Sequence, residues 1–539
     1  MQFRCTFVQK LHDMYRTMIF AVIIILFHVN CAEKPGSTNQ DQLSVGIYSN
    51  KQDYLQARQQ LVAQDSTLSF DAGIQLTPQE IAINAKLLAL KDSLITEAKR
   101  HDFFPPARYF YKSRKYMEQT LLYKIFREMP KGGILHIHPS ASGDFHWIVE
   151  HSTQFPDCYV YWAEDKGEYV KGQLQFFRKG EAPEGFVSTT ALKRQLPDYE
   201  EQLYDLLTFD ESINEDSVNI WKEFEYCFRR IGLFVNYQPV FKQYYRAALD
   251  TLASDGVQHV EFRAFLGAEK YDLAHPEGYY NGDSTVRYYQ EVLAEIEQKY
   301  PDFTLKLIHT NSRFNTPEAI NQDYAYAFQL RKRYPDFISG YDLVAEEDEG
   351  NSTLYYLDTW LKRDSLRQVY GVDVPFFFHD GESDWPSVTN LYDAVLLGSQ
   401  RIGHGFNLFR FPALQAMVKE NNIAIEVNPL SNQILGYVRD LRIHPAVHYI
   451  NQGIVCTISP DDPGVFDYKG VTPDYWSIFL AWGINLKGIK QLILNSLTHS
   501  SLSDAEKEIA LQNFEKRWDK WLVETEEVMQ ETQLVSFGK

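Results

Sequence analysis

Cysteine is scarce in this chain: five residues in 539, two of them, Cys5 and Cys31, within the first 31 positions. The remaining three, Cys158, Cys227 and Cys456, are too few and too scattered for a disulfide framework. No CxxC pair occurs, so a metal here must be held by histidine and carboxylate. Positive charge is also short, with 53 Lys and Arg against 72 Asp and Glu. A net charge of −19 disfavours nucleic-acid partners, because phosphate contacts need grouped Lys and Arg. There is no internal repeat, and no low-complexity tract beyond residues 33–42. The one long apolar run, Met18 to Phe27, follows Arg4, Lys10 and Arg16. It is too short for a comfortable membrane span and has the length of a signal-peptide core, so export is expected.

What is present is enough apolar material, 44% of residues, for a large core. Cys31 just after the apolar run resembles the lipid-acceptor cysteine of bacterial lipoproteins. Residues 1–31 therefore read as a signal, with either a lipid anchor at Cys31 or simple cleavage, and 32–43 as a tether. From 44 to 129 the chain reads as a helical N-terminal extension. Thr77-Pro-Gln-Glu80 carries an N-cap, a first-turn proline and a capping-box glutamate, predicting a helix to about Ala98. A second helix is predicted from Ser113 to Glu128.

From 130 onward, apolar runs that end in polar or ionisable groups alternate with segments long enough for helices. Eight such runs are found: Gly133–His138, Val257–Arg263, Thr304–His309, Ile338–Val344, the Phe376-Phe-Phe-His379 run, Arg401–His404, Ile423–Asn428 and Ile454–Asp462. Eight buried strands separated by helices predict an α/β fold of the (β/α)8 TIM-barrel type, whose strand ends surround one pocket. An insertion near 159–197 is expected to form a lid or small subdomain.

The chemistry begins with His136-Ile-His138. Alternate residues of a strand share a face, so both imidazoles are expected to project together at a metal-ligand spacing. His379, His404, Glu382 and Asp461 lie at other strand ends, and together they make a nitrogen and oxygen set suited to zinc with an open position. The fourth strand ends in Asp342-Leu-Val-Ala-Glu346 with no lysine, which favours one metal over a binuclear centre bridged by a carboxylated lysine. Asp461 and Asp462 cannot both face one ion from a single strand end.

Met129-Pro-Lys-Gly-Gly-Ile-Leu-His-Ile-His138, Gly340-Tyr-Asp-Leu-Val344, Phe377-Phe-His-Asp-Gly-Glu382, Arg401-Ile-Gly-His-Gly405, Glu426-Val-Asn-Pro-Leu-Ser-Asn432, His444-Pro445 and Ser459-Pro-Asp-Asp-Pro463 follow in one order along the barrel. In these phrases the chain resembles the adenosine deaminase family, in particular the secreted adenosine deaminase-related growth factors. The resemblance implies one Zn2+ per chain held by His136, His138, His379 and Asp461. It implies Glu382 as the acid toward purine N1, His404 as the residue orienting the attacking hydroxide, and Asp462 accepting a hydrogen bond on the N7 side. It also implies a homodimer formed through the helical lead-in, a purine nucleoside as substrate, and deamination of adenosine or deoxyadenosine to inosine and ammonia.

Three positions depart from the family pattern. Pro139-Ser140 stands where an acid usually meets the ribose hydroxyls, leaving Ser140, Ser142 or Asp144 as stand-ins. Ala345 replaces a glycine whose N–H contacts the purine. Asp380 replaces an alanine and is expected to add charge near the metal. These departures keep two other readings open: a deaminase of another aminopurine or modified nucleoside, and an extracellular nucleoside-binding protein of low turnover.

Trp221, Phe224 and Phe228 fall at helical spacing and are expected to wall the base pocket. Glu346-Glu-Asp-Glu349 reads as a solvated loop, His309 as a packed or substrate-side histidine, Cys456 as core, and Glu261 with Arg263 as a pair inside the barrel. Asn351-Ser-Thr353 is a lone glycosylation sequon.

Overall fold

The computed structural model describes residues 48–537, except 215–217, 268–269, 277 and 279–280. The stretches expected to be a signal and a tether, with Cys31, lie outside the described residues. Residues 48–68 form one unit, an 18-residue helix, Lys51–Leu68, begun by the Asn50 side chain accepting from the Gln52 and Asp53 N–H groups. Residues 69–537 form the other.

That second unit is a barrel of eight parallel strands. One four-stranded sheet runs β1 (Gly132–Ile137), β5 (Val257–Ala264), β6 (Thr304–Ser312) and β7 (Ile338–Val344). The other runs β8 (His379–Asp380), β9 (Arg401–His404), β10 (Ala424–Val427) and β11 (Cys456–Ile458). Parallel bridges Tyr341 to Phe376 and Ile137 to Asp461 join the two sheets into a ring. The Phe376 run is buried on both faces as expected, but only His379 and Asp380 make a ladder. Upstream it is held by single backbone bonds, Tyr341 N–H to Pro375 and Phe377 N–H to Tyr341.

The barrel interior is filled with charge, which fixes the strands that carry the site. Arg263 donates to Asp342 (2.7 Å) and Glu426 (2.5 Å), while Arg401 donates to Glu426 (2.6 Å) and Glu261 (2.5 Å). Glu261 and Arg263 therefore do not pair with each other. They sit side by side on one strand, pointing in parallel, and each meets partners from other strands. Each fully buried guanidinium thus bridges two carboxylates, without which the charges would be costly to bury.

The lead-in helix Pro78–His101 starts with the expected capping box, Glu80 N–H to Thr77 (3.2 Å) and Thr77 N–H to Glu80 (2.7 Å), and runs to His101. It packs on the barrel unit: Trp518 Nε1 (2.8 Å) and Lys490 Nζ (3.0 Å) both donate to Glu80. The predicted second helix is two, Phe110–Gln119 and Leu121–Glu128, because the Thr120 hydroxyl caps the second by accepting from Tyr123 N–H. The insertion contains a three-stranded antiparallel sheet, β2 (Cys158–Tyr161), β3 (Leu174–Phe176) and β4 (Phe186–Ser188), with β2 central.

Candidate active site

β1 delivers His136 and His138 to the barrel mouth on one side of the backbone, as its alternation requires. His136 Nδ1 lies 2.9 Å from Glu426 and His379 Nδ1 lies 2.7 Å from Asp342, which also accepts from His379 N–H. With both Nδ1 atoms engaged by carboxylates, the Nε2 atoms turn inward. His136 Nε2 is 3.2 Å from Asp461 Oδ1, His138 Nε2 is 3.4 Å from the same oxygen, and the Nε2 atoms of His138 and His379 are 3.2 Å apart. The four ligand atoms all lie within 4.8 Å of one another.

Two of them, His136 Nε2 and Asp461 Oδ1, are buried with no hydrogen-bond partner among the described residues. Burial drives the His379 imidazole down to about 3 and lowers His138 as well, so both are neutral and offer lone pairs. Converging neutral imidazoles, one carboxylate, orphaned inward atoms and outer carboxylates on the rings are a donor set that could hold a metal.

Beside this cluster sits a second, Glu382, His404 and Asp461. His404 (φ 60°) and Asp461 (φ 67°) both adopt left-handed backbone at the ends of their strands, a strained conformation for a residue with a Cβ. Asn432 lies 3.2 Å from His404 Nδ1, Glu382 3.4 Å from the same atom, and Ser431 donates to Asp461 (2.8 Å). Burial, reinforced by Asp461 and Glu347, pushes the Glu382 carboxyl well above its ordinary value, so it holds a proton. Asp462 is likewise driven up by burial and then by Asp461.

The acidic run after β7 is not a solvated loop. Glu347 is only 5% exposed and accepts from the Gly381 (2.9 Å) and Glu382 (2.6 Å) N–H groups and from Asn390 (2.7 Å). It clamps the backbone that carries Glu382. Sequence reasoning missed this, because a run of four acids looks like a surface until the glycine turn at Gly381 is seen to need acceptors. Asp380 does not face the metal cluster. One residue after His379 on a strand, it points the other way, accepting from Thr353 (2.6 Å) and lying 3.6 Å from Arg313.

The mouth opens into a cavity of about 330 Å³ lined by His138, Ser140, Trp221, Glu382, Asp462 and Ala345, among others. Phe224 and Phe228 line it with Trp221 as predicted, and Trp221 Nε1 donates to Tyr437 (2.9 Å). Glu225, Asn236 and Lys270 line it too and were not singled out from sequence. No motif marks them; only the fold brings them in. His309 is packed, buried against Asp323 at 3.0 Å, and Cys456 is core.

The chain matches the family model "Adenosine deaminase" over residues 196–516 and "Adenosine/AMP deaminase N-terminal" over 20–126. It is 33% identical to adenosine deaminase 2 of Sus scrofa, covering 87% of this chain and 93% of that one. It is 31% identical to adenosine deaminase 2 of Homo sapiens with the same coverages. Among solved structures, an amidohydrolase from Burkhoderia ambifaria with bound Zn matches with TM-score 0.54 and 16% identity, over 78% of this chain and 99% of that one. Arabidopsis ADAL complexed with GMP matches with TM-score 0.52 and 16% identity, over 73% and 98%. These last two likenesses bear on the fold alone. With the family model spanning most of the barrel and relatives alike over nearly their whole length, the chain belongs to the adenosine deaminase family of enzymes.

Proposed function

We propose that the chain hydrolyses the 6-amino group of adenosine or deoxyadenosine, giving inosine or deoxyinosine and ammonia, with one zinc ion held by His136, His138, His379 and Asp461. The observation that carries this reading is the set of four inward ligand atoms within 4.8 Å of one another, with two rings braced from behind by Glu426 and Asp342. When bound, zinc supplies Lewis acidity and brings the pKa of water near 7.

The remaining steps belong to the protein. Glu382, kept protonated by burial, donates to purine N1 and so makes C6 electrophilic. His404, held neutral by burial and flanked by Asn432, orients the attacking water, takes its proton and returns it to the 6-amino nitrogen, so that the C6–N bond breaks and ammonia leaves. Asp462 also keeps its proton, so it donates to N7, which has only a lone pair to offer; this reverses the polarity that the resemblance implied. Trp221, Phe224 and Phe228 cover the base and exclude water. Ser140 and Ala345 line the same cavity, where in this reading they meet the sugar and the purine respectively.

The test is ultraviolet absorbance of adenosine, deoxyadenosine and adenine with the zinc-loaded protein, alongside metal content by mass spectrometry. Glu382→Gln is expected to keep its zinc and lose about 10²- to 10⁴-fold in kcat. Wild-type turnover in that variant would remove Glu382 from the chemistry, and adenine as the sole substrate would select the free-base reading instead.

A further inference from the structure

The two aspartates that follow β11 are held in different ways. Asp461 is fixed by the barrel: its carbonyl accepts from His138 N–H (3.2 Å) and its carboxylate from the Ser431 hydroxyl (2.8 Å). Asp462 depends on the loop that comes after it. Its Oδ1 is buried without a hydrogen-bond partner among the described residues, and its carbonyl accepts from Phe466 N–H (3.1 Å). Tyr468 folds back on the same stretch, its N–H donating to the Pro463 carbonyl (2.9 Å) and its hydroxyl to the Pro460 carbonyl (3.0 Å). The Phe466 ring lies along Phe224 in the cavity wall, centroids 5.7 Å apart and planes 13° from parallel. Residues 466–468 therefore set both Asp462 and part of the base wall.

The grip on these three residues comes from the lead-in. Asp467, at φ 53°, holds a left-handed backbone that glycine adopts freely and a residue with a Cβ does not. What the aspartate adds there is its carboxylate, which accepts from the Arg114 guanidinium and from the Tyr204 hydroxyl. Arg114 belongs to the lead-in helix Phe110–Gln119 and Tyr204 to helix Tyr199–Leu207. The Arg114 and Asp467 side chains are each 27% exposed, and Arg114 Nε is steered by Glu118 one turn on (3.0 Å). A pair this sheltered is screened less than one in open water. The same helix reaches the flanking residues: the Tyr111 hydroxyl donates to the Phe466 carbonyl (3.3 Å), and the Phe110 ring meets Tyr468 edge-on at 5.4 Å.

Resting on the deaminase reading of Asp462 and Phe224, we propose that Arg114 and Asp467 are positioning residues for the reaction. Their ion pair, completed by Tyr204, passes the placement of the lead-in helix to the acid at purine N7 and to the base wall. The lead-in is then a working part of the active site, and breaking the pair weakens purine binding while sparing the metal.

The experiment takes the full zinc-loaded protein as wild type, Asp467→Gly, Arg114→Met, Arg114→Lys and the Asp467→Gly/Arg114→Met double variant, and reads adenosine kinetics and zinc content on each. Glycine accepts the left-handed turn, so Asp467→Gly removes the grip without straining the backbone. KM is expected to rise about five- to ten-fold in Asp467→Gly and in Arg114→Met, with kcat within about two-fold and zinc unchanged, and to recover in Arg114→Lys. The double variant is expected to match the worse single one, because both substitutions remove one interaction. An unchanged KM in Asp467→Gly, or single effects that multiply in the double variant, overturns the proposal. Hydrogen exchange of the 460–470 segment in ligand-free protein reads the grip without turnover: the Phe466 and Tyr468 amides are expected to exchange faster in Asp467→Gly, and unaltered exchange also overturns it. Adenosine left untouched by wild type, with exchange still responding in the variant, would remove the deaminase reading while upholding the grip.

Discussion

The two ends of the cavity are built on opposite principles. At the metal-facing end each reactive group is fixed by neighbours: His136 by Glu426, His379 by Asp342, the Glu382 backbone by Glu347, and His404 by Asn432. At the far end Lys270 lies over the Phe241 ring, and neither it nor the Asn236 side chain has a hydrogen-bond or ion-pair partner among the described residues. Chemistry needs groups held to within a fraction of an ångström, whereas recognition can leave a charge waiting for its counter-charge. Substitutions at the first end are therefore expected to act on metal affinity and kcat, and those at the second on KM.

The largest effect that would break this contrast lies behind the metal. Asp342→Asn removes the charge that fixes the His379 tautomer, and metal affinity is expected to fall about 10- to 100-fold in competition with a chelator. Unchanged affinity would mean that Asp342 serves only its other partner, Arg263. Next is Glu347→Gln, which swaps one of two acceptor oxygens for an NH2 and leaves Gly381 or Glu382 N–H facing a donor. Turnover is expected to drop about ten-fold with KM and metal content little changed, since a small displacement of the acid is costly to rate. A change confined to KM would move Glu347 to the recognition side of the comparison.

These two residues also show what could be seen in the sequence. The eight strand ends, the HxH pair and the six polar groups at the metal end were legible because each sits at the close of an apolar run, where strand geometry alone dictates direction. Asp342 appears in such a run, but its role behind His379 depends on which strands are neighbours. Glu347 was misread because local composition outweighed a contact made across the β7 and β8 ends. Asp380 was placed on the wrong side although strand alternation, applied one residue past His379, would have turned it away. Lys270 had no signal at all: it belongs to no motif and lies six residues past the end of β5, and only the fold shows that this segment lines the cavity.

A smaller effect concerns pH and the charged barrel interior on which the fixed end rests. Burial works to raise Glu426, but Arg263 and Arg401 overcome it and hold the carboxyl down to about 2, below its ordinary 4.5. A carboxylate with a depressed folded pKa gives stability that is fully present above the unfolded value and lost as pH falls toward the folded one. Stability is therefore expected to decline between about pH 4.5 and 2, measured as the denaturation midpoint. Glu426→Gln should flatten that decline while lowering stability at pH 7, because it leaves two buried guanidinium groups short of a partner. A decline of the same steepness in the variant would assign the acid limb to other carboxylates.

The smallest effect sits at the turn after β7, in the wall of the same cavity. Ala345, at the turn after β7, has φ 84°, which is costly for any residue with a Cβ. Its carbonyl is pinned by Arg313 Nε (3.1 Å), so the backbone cannot relax without losing that bond. Ala345→Gly relieves about 1–2 kcal/mol of left-handed strain but adds about 0.4–1 kcal/mol of unfolded-chain entropy. The strain term is the larger, so a net stabilisation of about 0.5–1 kcal/mol is expected. In a chain of this size that raises Tm by about one or two degrees. A lower Tm would show that the methyl packs well enough to outweigh its backbone cost, making this turn part of the fixed end. A higher one marks the alanine as a feature kept in the cavity wall despite its backbone cost.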